Sequence, residues 1–289
     1  MMNRDLISYG ATAFVDILGF SEKTRKASSF EDIEQIEKTI LQVQDFFEHK
    51  PSNDINKTNH ELYSRRVLAF SDCIIAHIPL NSQATQYSGQ FDPILSVLVG
   101  LAYSQGMCVH NSHFVRGAVE LGWWYHENDV LISQALSNAA KLEASANVPV
   151  IALCDDFYNY LANHDDRKTY HESIDPIPRL FRRYESEEIS YYYLDYIGIL
   201  LEDMDPVLSE TERELYSKAS PEEKDVLNNQ FYIEMCERWF EGHARIIESA
   251  TVGVHDERVL SKYKWLSGYH NEICKQYTTK VICYCKLSD

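Results

Sequence analysis

A chain of 289 residues, 45% hydrophobic and carrying four Trp, 19 Tyr and 12 Phe, has material for one large packed domain or a domain with an extension. Its 44 acidic against 27 basic residues leave a net charge of −17, a surface that repels phosphate backbones and anionic lipid, with no basic patch beyond Arg65-Arg66 and Arg182-Arg183. No run approaches the ~18 consecutive apolar residues of a membrane helix, and Met1-Met2-Asn3-Arg4-Asp5 opens no signal peptide. The expectation is a soluble, cytoplasmic protein with no nucleic-acid or membrane partner. Seven scattered cysteines without a Cys-x-x-Cys pair argue against a disulfide framework and a zinc cage.

In chain order, residues 11–19 read as a buried strand running into a turn. Residues 30–48 show helical spacing at Ile33, Ile36, Ile40, Val43 and Phe47, with Ser28 or Ser29 as the candidate cap. The stretch 50–60 is polar and Asn-rich, a loop. Two apolar runs, 66–71 and 73–79, meet around Ser71-Asp72 and suggest a hairpin. A helix over 91–106, a strand over 113–121, a helix from Ser133 to Ala146 and a strand from Val148 to Leu153 follow. The pattern is roughly β-α-β-β-α-β-α-β, an α/β (α+β) sandwich with helices on one face of a mostly antiparallel sheet. From about Asp155 the character changes, with an apolar stretch at 192–201 and long amphipathic helices at 221–249 and 256–278. The expected division is a catalytic domain over 1–155 and a mainly helical C-terminal extension over 156–289 packed on it. Cys283-Tyr284-Cys285 reads as a terminal strand or tail.

Two acids stand out against these apolar runs. Asp16 ends the first strand, where a carboxylate is costly to desolvate unless it is paired or binds a cation; capping of the next helix is the alternative. Gly19 would let a ligand approach the backbone, and the helix beyond it could receive phosphate oxygens. Asp72 sits at the hairpin tip, where Ser-Asp is also ordinary turn chemistry. If the first strand lies beside the hairpin, both carboxylates reach one point at the sheet edge. Two acids that close repel, which makes sense mainly when Mg²⁺ or Mn²⁺ bridges them.

Four segments in order carry a family resemblance. Phe14-Val-Asp-Ile-Leu-Gly-Phe20 resembles the Asp-(Ile/Met/Val)-x-Gly-Phe start of class III adenylate and guanylate cyclases, and Phe70-Ser-Asp-Cys-Ile-Ile-Ala76 their Ile-Gly-Asp-x-(Tyr/Phe)-x-Ala hairpin. Val115-Arg-Gly-Ala-Val-Glu-Leu-Gly122 resembles their Arg-x-Gly-Ile-x-x-Gly strand, and Ala135-Leu-Ser-Asn-Ala-Ala-Lys-Leu-Glu143 their Val-Asn-x-Ala-Ala-Arg-Leu-Glu helix. The Asn and Arg positions of that helix are Ser137 and Lys141 here, on one face, with Ala135, Ala139, Leu142 and Ala146 as the expected buried stripe. Lys keeps the positive charge and loses the planar fork of Arg. The purine-selecting position before the second Asp is Leu68, which cannot read a purine edge by hydrogen bonding.

The pattern is most similar to the pyrimidine cyclases of the Pycsar antiphage defence system, a likeness extended by Arg258 to Asn271. That resemblance implies conversion of UTP or CTP to cyclic UMP or cyclic CMP, Mn²⁺ dependence, a homodimer with composite interface sites, and a separate effector activated by the product. It implies two metal ions per site, Mn²⁺ or Mg²⁺, held by Asp16 and Asp72 with the Ile17 carbonyl on the second. Lys141, with Ser137 beside it, would meet charge on the α-phosphate, and the backbone of Leu18, Gly19, Phe20 and Ser21 would cradle the terminal phosphates. Tyr63, Arg65, Arg66 and Asp129 are candidate pocket residues. A catalytically silent module and a purine cyclase are the alternatives. His110 and His113 lack a third zinc ligand, Trp123-Trp124-Tyr125 read as interface or core packing, and no nucleophile elbow, Walker A loop or Gly-x-Gly-x-x-Gly appears.

Overall fold

The computed structural model describes residues 7–48 and 65–287. The Asn-rich stretch 50–60 and Tyr63 therefore lie outside the described residues. The chain divides into two compact units, Met1–Tyr196 and Ile197–Asp289.

The first unit is built on an eight-stranded sheet. Strands β1 (Ile7–Ile17), β2 (Arg66–Phe70), β3 (Cys73–Pro79), β4 (Val115–Glu127), β6 (Ile151–Leu153), β7 (Phe181–Glu185) and β8 (Ser190–Leu194) run in the order β2-β3-β1-β4-β6-β8-β7, and β5 (Val130–Ser133) pairs with β4. Every described pairing is antiparallel except β4 with β6. The mostly antiparallel α/β sandwich is thus as the sequence suggests. The difference lies in its extent: β7 and β8, expected within a helical extension, pair into the sheet and carry the first unit to Tyr196. Their alternation, with Tyr191 and Tyr193 buried and Ser190 exposed, is a half-buried strand pattern hidden by the aromatic content of that stretch.

The helices of this unit are α1 (Phe20–Lys26), α2 (Phe30–Glu48), α3 (Gln83–Ser88), α4 (Phe91–His110), α5 (Gln134–Ala146), α6 (Asp155–Ala162) and α7 (Ile177–Leu180). Ala11, Ala13, Val15 and Ile17 on one face of β1 are all 3% exposed or less. That face takes α4 and, from α2, Val43 and Phe47. Only the C-terminal half of α2 is buried, and Ile33 of the expected stripe is exposed. Its start is held reciprocally: Ser29 Oγ accepts from Asp32 N–H while Asp32 Oδ2 accepts from the N–H groups of Ser28 and Ser29. Among the described residues, α4 alone is long and apolar enough to cross a membrane, and most of its side chains are packed inside the unit.

The second face carries α5, so helices lie on both faces and not on one. Close approach is possible at Gly122, where a Cβ would stand 3.0 Å from the Ala135 nitrogen and 3.1 Å from its Cβ. Ser133 caps α5 by accepting from Leu136 N–H.

The second unit is helical, with α8 (Tyr196–Glu202) leading into it, then α9 (Glu210–Lys218), α10 (Pro221–Ala250) and α11 (Glu257–Cys274). Ser209 and Ser220 open α9 and α10 with capping boxes completed by Glu212 and Glu223. Phe231, Met235, Phe240, Ala244 and Ile247 of α10 and Leu266, Tyr269 and Ile273 of α11 form its buried stripes. Cys283-Tyr284-Cys285 is not a strand. A 3-10 turn at Val281–Cys283 leads to a tail that Asn271 straps down, donating from Nδ2 to the Cys285 carbonyl (3.1 Å) and accepting from Cys285 N–H (2.9 Å).

Candidate functional site

Local sequence builds the corner where β1 ends. The apolar runs Val67–Phe70 and Cys73–Pro79 fold back on a turn in which Ser71 takes φ 57°. Ile17 N–H donates to the Asp72 carbonyl (3.1 Å), and Leu18 N–H to that of Phe114 (2.8 Å). These two bonds pin the end of β1 between the hairpin turn and β4.

The register then decides which side chains meet. Asp16 stands opposite Cys73 on β3 and opposite Arg116 on β4. Directly opposed residues point to the same face, so Asp16, Cys73 and Arg116 share one. Ligand atoms of Asp16, Asp72 and Cys73 all lie within 4.8 Å of one another, and Cys73 Sγ is 4.0 Å from Asp72 Oδ1. Arg116 Nε reaches Asp16 Oδ2 at 3.3 Å and also pairs with the buried Glu143 of α5.

Electrostatics follow from this geometry. Burial pushes the Asp16 carboxyl above its ordinary value, the Arg116 guanidinium pulls it back, and Asp72 raises it again. The Cys73 thiol is pushed up to about 12, first by burial and then by the charges of Asp72 and Asp16. A divalent cation at this point would answer the repulsion felt by all three groups. The donors fit one: two carboxylates suit a hard ion, and the sulfur adds affinity for borderline ones.

The other sequence-derived residues divide into three groups. Ile17 is buried as the last residue of β1, Gly19 holds φ 76° ahead of α1, and Phe20 (buried) and Ser21 (exposed) open that helix. Leu18 N–H is already engaged, and among the described residues no backbone carbonyl is seen to accept from the N–H groups of Gly19, Phe20 and Ser21 in the first turn. Leu68 pairs with Ile75 and Arg66 with His77, which places both on the face of Cys73, two and four residues along β2 from Phe70. Asp129 lies in the turn after β4, roughly 35 Å of extended strand from Arg116, and is not brought to the acids within one chain.

Lys141 and Ser137 are also apart from the acids. The buried residues of α5 are Ala135, Ala139, Glu143 and Ala146, so Glu143 takes the place expected for Leu142. Lys141 precedes Glu143 by two residues, about 200° around the helix, and is exposed. It lines a cleft of about 590 Å³ with Tyr9, Glu120, Asn138, Asp156 and Tyr160, where β4 has lost β6 and not yet met β5. Sequence reasoning missed Cys73, Arg116 and Glu143 as parts of the corner. All three stood inside the quoted motifs, and only the strand register singles them out.

No protein-family profile and no curated protein matches this chain. Among solved structures it is similar to a bacterial light-regulated adenylyl cyclase (16% identity, 66% of this chain and 91% of that one, TM-score 0.40). It is also similar to the monomeric guanylyl cyclase domain of the RhoGC fusion protein from the aquatic fungus Blastocladiella emersonii (11% identity, 65% and 96%, TM-score 0.41). A third similarity, over 95% of this chain and 73% of the other, is to a class III adenylyl cyclase-like ATP-binding protein from Pseudomonas aeruginosa (10% identity, TM-score 0.41).

Proposed function

We propose that this chain is a nucleotide cyclase, which joins the ribose 3′-oxygen of a nucleoside triphosphate to its own α-phosphorus and releases pyrophosphate. The observation that carries the reading is the convergence of Asp16, on β1, and Asp72, in the β2–β3 turn, far apart in sequence and within reach of a common ion. Asp16, Asp72 and the Ile17 carbonyl would hold two Mn²⁺ or Mg²⁺ ions. When bound, these supply a lowered pKa at the 3′-OH and charge neutralisation at the leaving pyrophosphate. The N–H groups of Gly19, Phe20 and Ser21 receive terminal phosphate oxygens, and φ 76° at Gly19 opens the backbone to them. The protein's part is alignment and electrostatics.

Lys141 is the group for the α-phosphate, with Ser137 one turn before it. In its own chain it points away from the Asp16 corner, and this supports a homodimer in which a second copy supplies it across the interface. Leu68, on the acid face, walls the base without a hydrogen bond, which favours a pyrimidine, UTP before CTP. With the motif resemblance, this leads to cyclic UMP or cyclic CMP as a second messenger for a separate effector in antiphage defence.

Purified protein incubated with each of the four nucleoside triphosphates and Mn²⁺, followed by chromatography, tests the reading. Cyclic UMP or cyclic CMP supports it, and cyclic AMP or cyclic GMP moves the substrate class to purines. Absence of every cyclic product makes the chain a silent module.

A further inference from the structure

We propose that Cys73 is itself a ligand at the Asp16–Asp72 corner, so that the site takes borderline and soft divalent cations, Co²⁺, Zn²⁺ and Cd²⁺, through one sulfur and two carboxylates. The inference rests on the reading of that corner as a divalent site and concerns which ions it selects. Cys73 is fixed twice: it follows Asp72 in sequence, and it stands opposite Asp16 in the β1–β3 register. Its side chain has no choice of face; Asp16 shares that face, and the ligand atom of Asp72 in the turn lies within 4.8 Å of theirs.

Reach allows coordination. Metal–sulfur and metal–oxygen arms of about 2.3 and 2.1 Å span donors up to about 4.4 Å apart, and the three ligand atoms lie within 4.8 Å of one another. The sulfur is already 4.0 Å from Asp72 Oδ1. Side-chain rotations of a few tenths of an ångström close the rest. On binding, the sulfur–metal bond forms as the thiol proton leaves to solvent, with no change of oxidation state. A sulfur donor raises affinity for softer ions and leaves Mg²⁺, which seeks oxygen, almost unaffected.

Cobalt reports the bond directly, because a thiolate ligand gives Co²⁺ a charge-transfer absorption in the near ultraviolet that carboxylates do not. Metal-free full-length protein is titrated with Co²⁺ by absorbance and calorimetry, beside the Cys73→Ser, Cys154→Ser and Asp16→Asn variants. Cys154 is the control because it is the other cysteine that is not buried. The expected result is a band in the wild type and in Cys154→Ser that is lost in Cys73→Ser. Cd²⁺ should bind Cys73→Ser at least about tenfold more weakly, with Mg²⁺ affinity unchanged.

Calorimetric Co²⁺ binding that needs Asp16 but gives no band, or a band that survives in Cys73→Ser, overturns the proposal and leaves the acid pair as a metal site. No Co²⁺ binding by the wild type overturns the metal corner itself and this inference with it. A wild type that binds Co²⁺ without a band overturns the proposal even if a variant fails to fold, and Cys73→Ala is read in place of a Cys73→Ser that does not fold.

Discussion

Arg116→Met removes the guanidinium that stands between Asp16 and Glu143. Glu143 is 6% exposed at its side chain, Asp16 20% and Arg116 21%. Removing one partner of a buried ion pair costs about 3–5 kcal/mol, because a carboxylate is left desolvated without its counter-charge. The partial exposure of Arg116 and Asp16 puts this pair at the low end, about 3 kcal/mol. For a unit of this size that is a fall in Tm of roughly 6–12 °C. With the guanidinium gone, Glu143 and Asp16 both gain from protonation, so the loss should be full at pH 7 and shrink as the pH falls towards the carboxylate range. Calorimetry in EDTA at pH 7 and pH 5 measures both, and Arg116→Met combined with Glu143→Leu should regain most of the stability. A loss below about 1 kcal/mol at pH 7, or one independent of pH, would refute the claim that this pair is desolvated.

Asp16→Ala and Asp72→Ala should each abolish cyclisation with the fold retained, because each removes an acid from a repelling pair; far-UV circular dichroism separates that outcome from unfolding. Lys141→Ala should lower kcat by roughly 10- to 1000-fold, as for loss of one contact to transition-state charge, and unchanged turnover would take Lys141 out of the site. Gly122→Ala should cost about 1–3 kcal/mol by driving a methyl group against Ala135, read from urea denaturation. In the second unit His270 is buried, hydrogen-bonded to His243 and to the Cys283 carbonyl, and burial pulls it down to about 4. A histidine whose folded value is depressed lends stability above its ordinary value of 6.5 and loses it as pH falls towards 4, here about 3 kcal/mol. Acid unfolding monitored by tryptophan fluorescence should steepen across that window and flatten in His270→Gln.

Much of the architecture was legible locally. The period of Val43 and Phe47, the apolar run of β1 and the Ser29 cap need only neighbours a few residues apart, and the structure places elements there. The acids were legible as anomalies, one carboxylate near the end of an apolar strand and one in the turn between two others. Three matters were not. The β7–β8 pair joins the sheet through β6, a partner remote in sequence. The face of α5 includes Glu143, which reaches Arg116, in the place where a Leu142 stripe was expected.

The neighbours of Asp16 are the clearest case. Sequence alone determined that an acid ends β1, that another sits in the Ser71-Asp72 turn, and that Cys73 follows it, because covalent order and local periodicity carry that information. Only tertiary structure decided that Cys73 and Arg116, the latter 100 residues away, flank Asp16 on one face. Strand order and register are set by burial across the whole sheet, and a slip of one residue would turn the carboxylate to the other side.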